Sequence, residues 1–158
     1  MTAQLAFYKG PPTGALNLAG YWGIRVWTWS RWSHVELVLN GICWSASAWD
    51  GGVRGKHIDL NSGHWDVIAL PLTDEEAAYA LAWFRKNEGA RFDYRNILRF
   101  ILPLIGHNRR QVVCFESVAS ALGLAAPHKL TANDLWAWAE TRLDDQLYHG
   151  GVDDREPD

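Results

Sequence analysis

Between residues 33 and 39 (SHVELVL), Val35, Leu37 and Leu39 alternate with His34, Glu36 and Val38. A period of two predicts a strand with the two sets on opposite faces. Asn40-Gly41 is a tight-turn signal, so a return strand over 42–47 completes a hairpin. The glycine-rich stretch that begins Asp50-Gly51-Gly52 ends that strand, and further short strands are expected over 53–60 and 65–70. After Pro71 the pattern changes. Thr73-Asp74-Glu75-Glu76 forms a capping box, which opens a helix from 74 to about 88. Ala77, Ala80, Leu81 and Phe84 share one face of it, and Gly89 fits its end. A second helix is expected over 94–102, before Pro103, and a third from near Cys114 to Gly123. The last opens at Thr131-Ala132-Asn133-Asp134 and runs through LWAWAETRL. Strands come first and helices second, which makes the fold class α+β. Residues 1–150 read as a single domain, and 151–158 as a short, acidic, frayed tail.

Composition narrows the choice of partner. The chain has 158 residues, 48% apolar and 21% charged, with a net charge of −3. That is globular composition, with no basic excess to attract a phosphate backbone, so nucleic acid is not the expected partner. The start, MTAQLAFYKG, lacks the basic and apolar regions of a signal peptide. The apolar runs, such as ILPLIG, are too short to cross a bilayer. A cytoplasmic protein is expected, with signal-independent export left open. Two cysteines, Cys43 and Cys114, are too few for a disulfide scaffold and read as free thiols. Six of the ten tryptophans lie between Trp22 and Trp49, namely Trp22, Trp27, Trp29, Trp32, Trp44 and Trp49. They suit either core packing or an aromatic-lined cleft.

The candidate chemistry centres on a thiol and an imidazole. Cys114 lies where the third expected helix begins, and unpaired N–H groups at a helix start favour a thiolate. His34 can serve as the base that takes the thiol proton. A third group must orient the imidazole, and two candidates stand open. Glu36 shares the strand face of His34, whereas Ser45 lies across the hairpin. Trp32, Trp44 and Ser47, close by in sequence, are candidates for contacting substrate. Cys43 is the weaker nucleophile candidate, because it sits mid-strand. Neither a metal nor another cofactor is expected, since His57, His64, His107, His128 and His149 are scattered without ligand spacing. The segment Asp50-Gly51-Gly52-Val53-Arg54-Gly55 lacks the Lys-Ser/Thr of a phosphate loop and reads as a turn.

Several of these stretches resemble one family. They are Ser33-His34-Val35-Glu36-Leu37, Ser45-Ala46-Ser47 with Asp50-Gly51-Gly52-Val53-Arg54, and Cys114-Phe115-Glu116-Ser117-Val118-Ala119 with Ala121-Leu122-Gly123. Together with Tyr94-Arg95-Asn96-Ile97-Leu98 and Thr131-Ala132-Asn133-Asp134-Leu135, they resemble the circularly permuted branch of the NlpC-type, papain-like cysteine hydrolases, in particular its phage and prophage members. The permuted order places the histidine strand before the cysteine helix, as here. The resemblance implies a small antiparallel sheet packed with helices, with Cys114 as nucleophile, His34 as base and Ser45 at the position of the family's third polar residue. Relatives commonly carry His, Asn or Gln there, so a serine departs from the pattern and Glu36 is the substitute. The implied reaction runs through an acyl-enzyme. A peptidase or amidase acting on cell-wall-type peptides is the first expectation. A lipid acyltransferase or thioesterase, or a non-catalytic binding or host-interaction protein, is the alternative.

Overall fold

A computed structural model describes residues 2–11, 30–47, 50–91 and 114–149. The strands are β1 (Ala3–Tyr8), β2 (His34–Leu39), β3 (Ile42–Ser47), β4 (Gly52–Lys56) and β5 (Trp65–Ala69). They form one antiparallel sheet in the order β4-β3-β2-β1-β5. Three described α-helices follow: α1 (Asp74–Asn87), α2 (Cys114–Ala121) and α3 (Ala132–His149). A 3-10 turn, Pro127–Lys129, lies between α2 and α3. The chain is thus an α+β protein, with a five-stranded sheet first and helices after it. Among the described residues no helix is long and apolar enough to cross a membrane.

The hairpin forms as its sequence predicts. Asn40 and Gly41 have φ values of 49° and 80°, the left-handed pair that a two-residue hairpin turn requires. Leu37 faces Trp44 and Val38 faces Cys43 across it. One set of alternating residues (Leu5, Phe7, Val35, Leu37, Trp44, Ala46 and Val53) joins the main core with residues of all three helices. The opposite face carries a smaller cluster of Ala6, Val38 and Cys43, with Ile58, Leu60 and Trp65 packed against it.

Helix α1 buries a narrow stripe, whereas α2 is buried on nearly every side. Thr73 caps α1 with the reciprocal bonds of a capping box, and Ala77, Ala80 and Phe84 are its buried residues, Phe84 stacking on Trp44 at 5.7 Å. In α2, Val118, Ala119 and Ala121 are fully buried. In α3, Leu135 is buried and Trp136 stacks on Trp32 at 4.7 Å and meets Phe7 edge-on at 5.1 Å. Edge strand β4 is tied to the end of α1 by Val53 N–H donating to Ala90 O and Gly89 N–H donating to Val53 O. A side chain at Gly52 would place its Cβ 2.0 Å from Ala90 O, so only glycine allows that approach.

The structure departs from the sequence reading in several places. Strand β1 was not anticipated, yet it lies between β2 and β5 near the middle of the sheet. Its alanines carry weak strand preference, and Ala6 is buried on the face opposite Leu5 and Phe7, which blurs the alternation. Strand β4 stops at Lys56 instead of Leu60, and Asp50–Gly55 is not one turn, because Gly52 to Gly55 pair with β3. Helix α3 continues past Leu143 to His149. The helix expected over 94–102, the acidic tail, and Trp22, Trp27, Trp29, Trp49 and His107 lie outside the described residues.

Candidate active site

His34 is the first residue of β2, and Cys114 is the first described residue of α2. Ser117 joins these elements. Its hydroxyl donates to Cys114 O at 2.8 Å and accepts from Ala46 N–H of β3 at 3.0 Å, in a fully buried position. The first turn of α2 is thereby pinned to the strand beside β2. The pinning sets the Cys114 sulfur near enough to the His34 imidazole to favour its charged form.

The second nitrogen of the imidazole has its own partner. His34 Nε2 lies 2.7 Å from Glu36 Oε1. This leaves Nδ1 for the thiol. Glu36 is completely buried, which an unpaired carboxylate would not tolerate. Arg54 supplies the balance: Nη1 donates to Glu36 Oε2 at 2.7 Å and Nη2 to Oε1 at 2.6 Å. Arg54 Nε donates in turn to Asp50 Oδ2 at 2.6 Å, and Lys56 Nζ donates to the same oxygen at 2.7 Å. A continuous polar chain therefore runs from imidazole through carboxylate and guanidinium to a second carboxylate.

The register explains how the chain is built. Ser45 faces Arg54 across β3 and β4. Continuing the Leu37–Trp44 pairing by one step sets Glu36 opposite Ser45. Glu36, Ser45 and Arg54 thus form a row over three adjacent strands. Neighbouring strands are about 4.8 Å apart, so Arg54 must reach across the middle one. The small Ser45 side chain leaves that space, and its hydroxyl turns to donate to Val35 O at 2.7 Å.

Electrostatics follow from these contacts. Burial opposes the positive charge on His34, but the Cys114 sulfur and the Glu36 carboxylate outweigh it and raise the pKa from 6.5 to about 10. Burial likewise opposes the charge on Glu36, yet His34 and Arg54 hold its carboxyl below the usual range. The arrangement favours a charged imidazolium held against the buried Glu36 carboxylate. Cys43 differs: burial is the main influence on it and pushes its thiol up to about 11.

The remaining candidates take other places. Of the two groups offered as orienting residue, Glu36 bonds His34 and Ser45 does not, because the Ser45 hydroxyl is committed to the backbone of β2. Trp32 and Trp44 are packing residues, not open substrate contacts. Trp32 is 6% exposed, lies between Phe7 and Trp136, and donates from Nε1 to Asp66. Trp44 is 8% exposed and fills the space left by Gly55, where a Cβ would come within 2.7 Å of its ring. Ser47 is 3% exposed and accepts from Asp50 N–H in the turn before β4. Arg54 and Ser117 were missed as site residues. The signal for Arg54 was a buried-face carboxylate, Glu36, needing a counter-ion on the next strand but one. The signal for Ser117 was a hydroxyl one helical turn after the thiol. Cys114 itself is 4% exposed, whereas the His34 side chain is 16% exposed. Trp65 flanks the imidazole at 6.5 Å.

No family model matches the chain, and no match is found among curated proteins.

Proposed function

We propose that the chain is a cysteine hydrolase of the permuted NlpC-type, papain-like kind, acting on an amide in a cell-wall-type peptide. The carrying observation is the buried Glu36 carboxylate that holds His34 Nε2 at 2.7 Å, with the Cys114 sulfur near enough to the imidazole to help raise its pKa. In this reading the Cys114 thiolate attacks the carbonyl carbon, forming a C–S bond and a tetrahedral oxyanion. The Cys114 N–H, in the first described turn of α2, is the oxyanion donor. As the oxyanion collapses the C–N bond breaks, and imidazolium His34 gives its proton to the leaving amine. Neutral His34 then takes a proton from water, which attacks the thioester. The C–S bond breaks, the carboxylic product departs, and the thiolate–imidazolium pair is restored. The order of elements, histidine strand before cysteine helix, supports the same family reading.

The test is active-site labelling of the full chain with peptide-based and lipid-based electrophilic acyl probes. Labelling at Cys114 by peptide probes, abolished in Cys114→Ala and slowed in His34→Gln, is the expected result. Labelling by lipid probes alone would replace the peptide substrate with an acyl chain. The near-complete cover over Cys114 favours a second reading, a binding protein on a degenerate hydrolase scaffold. Failure of every probe, with iodoacetamide reacting only as thiols of ordinary pKa near ~8.5 do, would establish that second reading over the first.

A further inference from the structure

Arg54 is placed to act on the thiol–imidazole pair without touching either member. Its three guanidinium nitrogens all have acceptors: Nη1 and Nη2 hold the two oxygens of Glu36 at 2.7 and 2.6 Å, and Nε holds Asp50 at 2.6 Å. The planar fork fixes both the position and the plane of the carboxylate. Glu36 Oε1 then receives Arg54 from one side and His34 from the other. With the carboxylate held, Nε2 of His34 is committed to it, which leaves Nδ1 as the nitrogen available to a thiol. Asp50 is the anchor at the far end, itself held by Lys56 at 2.7 and 2.9 Å. The Arg54 side chain is only 13% exposed and the Glu36 side chain is 0% exposed, so solvent screens this pair little.

We propose that Arg54 is the positioning residue of the site, setting the orientation of His34 through the carboxylate of Glu36. The proposal rests on the reading of Cys114 and His34 as nucleophile and base. It extends that reading to a guanidinium on the edge strand. Arg54 is not a catalytic residue in this scheme, since it meets neither substrate nor sulfur. Its influence must vanish when the carboxylate that transmits it is removed.

A coupling experiment reads that dependence. The rate of iodoacetamide reaction at Cys114 is followed from pH 5 to 10 by peptide mass spectrometry on the full chain. The proteins are wild type, Arg54→Met, Glu36→Gln, the double variant, Arg54→Lys and His34→Gln, each checked for its fold by circular dichroism. Arg54→Met is expected to slow the reaction at neutral pH by about tenfold in the wild-type background, and by no more than about twofold when Glu36→Gln is already present. The double variant buries no unpaired charge between positions 36 and 54, so it is the better folded comparison. Should Arg54→Met not fold, Arg54→Lys carries the same comparison, because it keeps the cation and loses the fork. Arg54→Lys is expected to fall between wild type and Arg54→Met. Equal slowing in both backgrounds, or wild-type rates in the Arg54 variants, would overturn the proposal. A normal loss in His34→Gln beside silent Arg54 variants would overturn it alone. An unchanged pH profile in His34→Gln would remove the base, and with it the hydrolase reading as well.

Discussion

Raising the pH from 6 to 10.5 should strip His34 of its charge in the folded protein, and the cost in stability can be worked out. The imidazole has its pKa lifted from 6.5 to about 10 in the fold, against burial, by Cys114 and Glu36. A group whose pKa is higher when folded stabilises the fold while it is protonated in both states. That contribution is complete below about pH 6.5 and disappears as the pH climbs through about 10. Each tenfold change in proton affinity is worth about 1.4 kcal/mol, so the ceiling on the loss is about 5 kcal/mol. Glu36 works at the other end. Its carboxyl is held below the ordinary range, so its contribution is present above about pH 4.5 and fades in acid. Stability should therefore peak between these limits. Urea unfolding followed by tryptophan fluorescence, using the ten tryptophans of the chain, measures it at each pH. Other groups also titrate above pH 9, so the informative quantity is the difference between wild type and His34→Gln. Wild type should lose several kcal/mol more than the variant over the alkaline limb. Parallel curves would show that the charge on His34 contributes nothing to the fold, and would refute the reasoning.

Further outcomes follow from neighbouring contacts. Ser117→Ala removes the acceptor for buried Ala46 N–H and the donor to Cys114 O, so it should cost about 1–3 kcal/mol in urea unfolding and slow thiol labelling at Cys114. Native protein treated with iodoacetamide at pH 7.5 should carry no label at Cys43, whose thiol is pushed up to about 11 chiefly by burial; peptide mass spectrometry checks this. Ser45→Leu should fill the space over which Arg54 crosses β3 and destabilise the fold by about 1–3 kcal/mol, read as a lower melting temperature. Phe84→Ala should cost about 3–5 kcal/mol by emptying the pocket against Trp44, again measured by urea unfolding.

The sequence was most legible where local chemistry and tertiary structure agree. Asn40-Gly41 and the capping box at Thr73 each specify a backbone geometry within four residues, and both occur as read. The strand of His34 was legible because its alternation survives although both faces are covered. Strand β1 was not, because Ala6 gives little contrast with Leu5 and Phe7, and its pairing partners lie more than 25 residues away along the chain. Likewise Cys114 and His34 could be named from residue type, but their support could not. Arg54 sits in a glycine-rich stretch that looks like a turn. Only the register of β2, β3 and β4 reveals that it shares a row with Glu36. Trp32 and Trp44 misled for the opposite reason: large aromatics near a candidate site suit a cleft as well as a core, and here Phe7, Trp136 and Phe84 claim them.

The residues that hold the imidazole are close together in the chain, from His34 to Lys56, whereas the sulfur arrives from position 114. The imidazole belongs to a meander of short-range contacts, and the thiol is delivered by one helix through the Ser117 clasp. The meeting of thiol and imidazole is therefore a property of the docked helix, and undocking it would separate the two. Sulfur reactivity consequently serves as a built-in reporter of tertiary assembly in this molecule, independent of whether its secondary structure has formed.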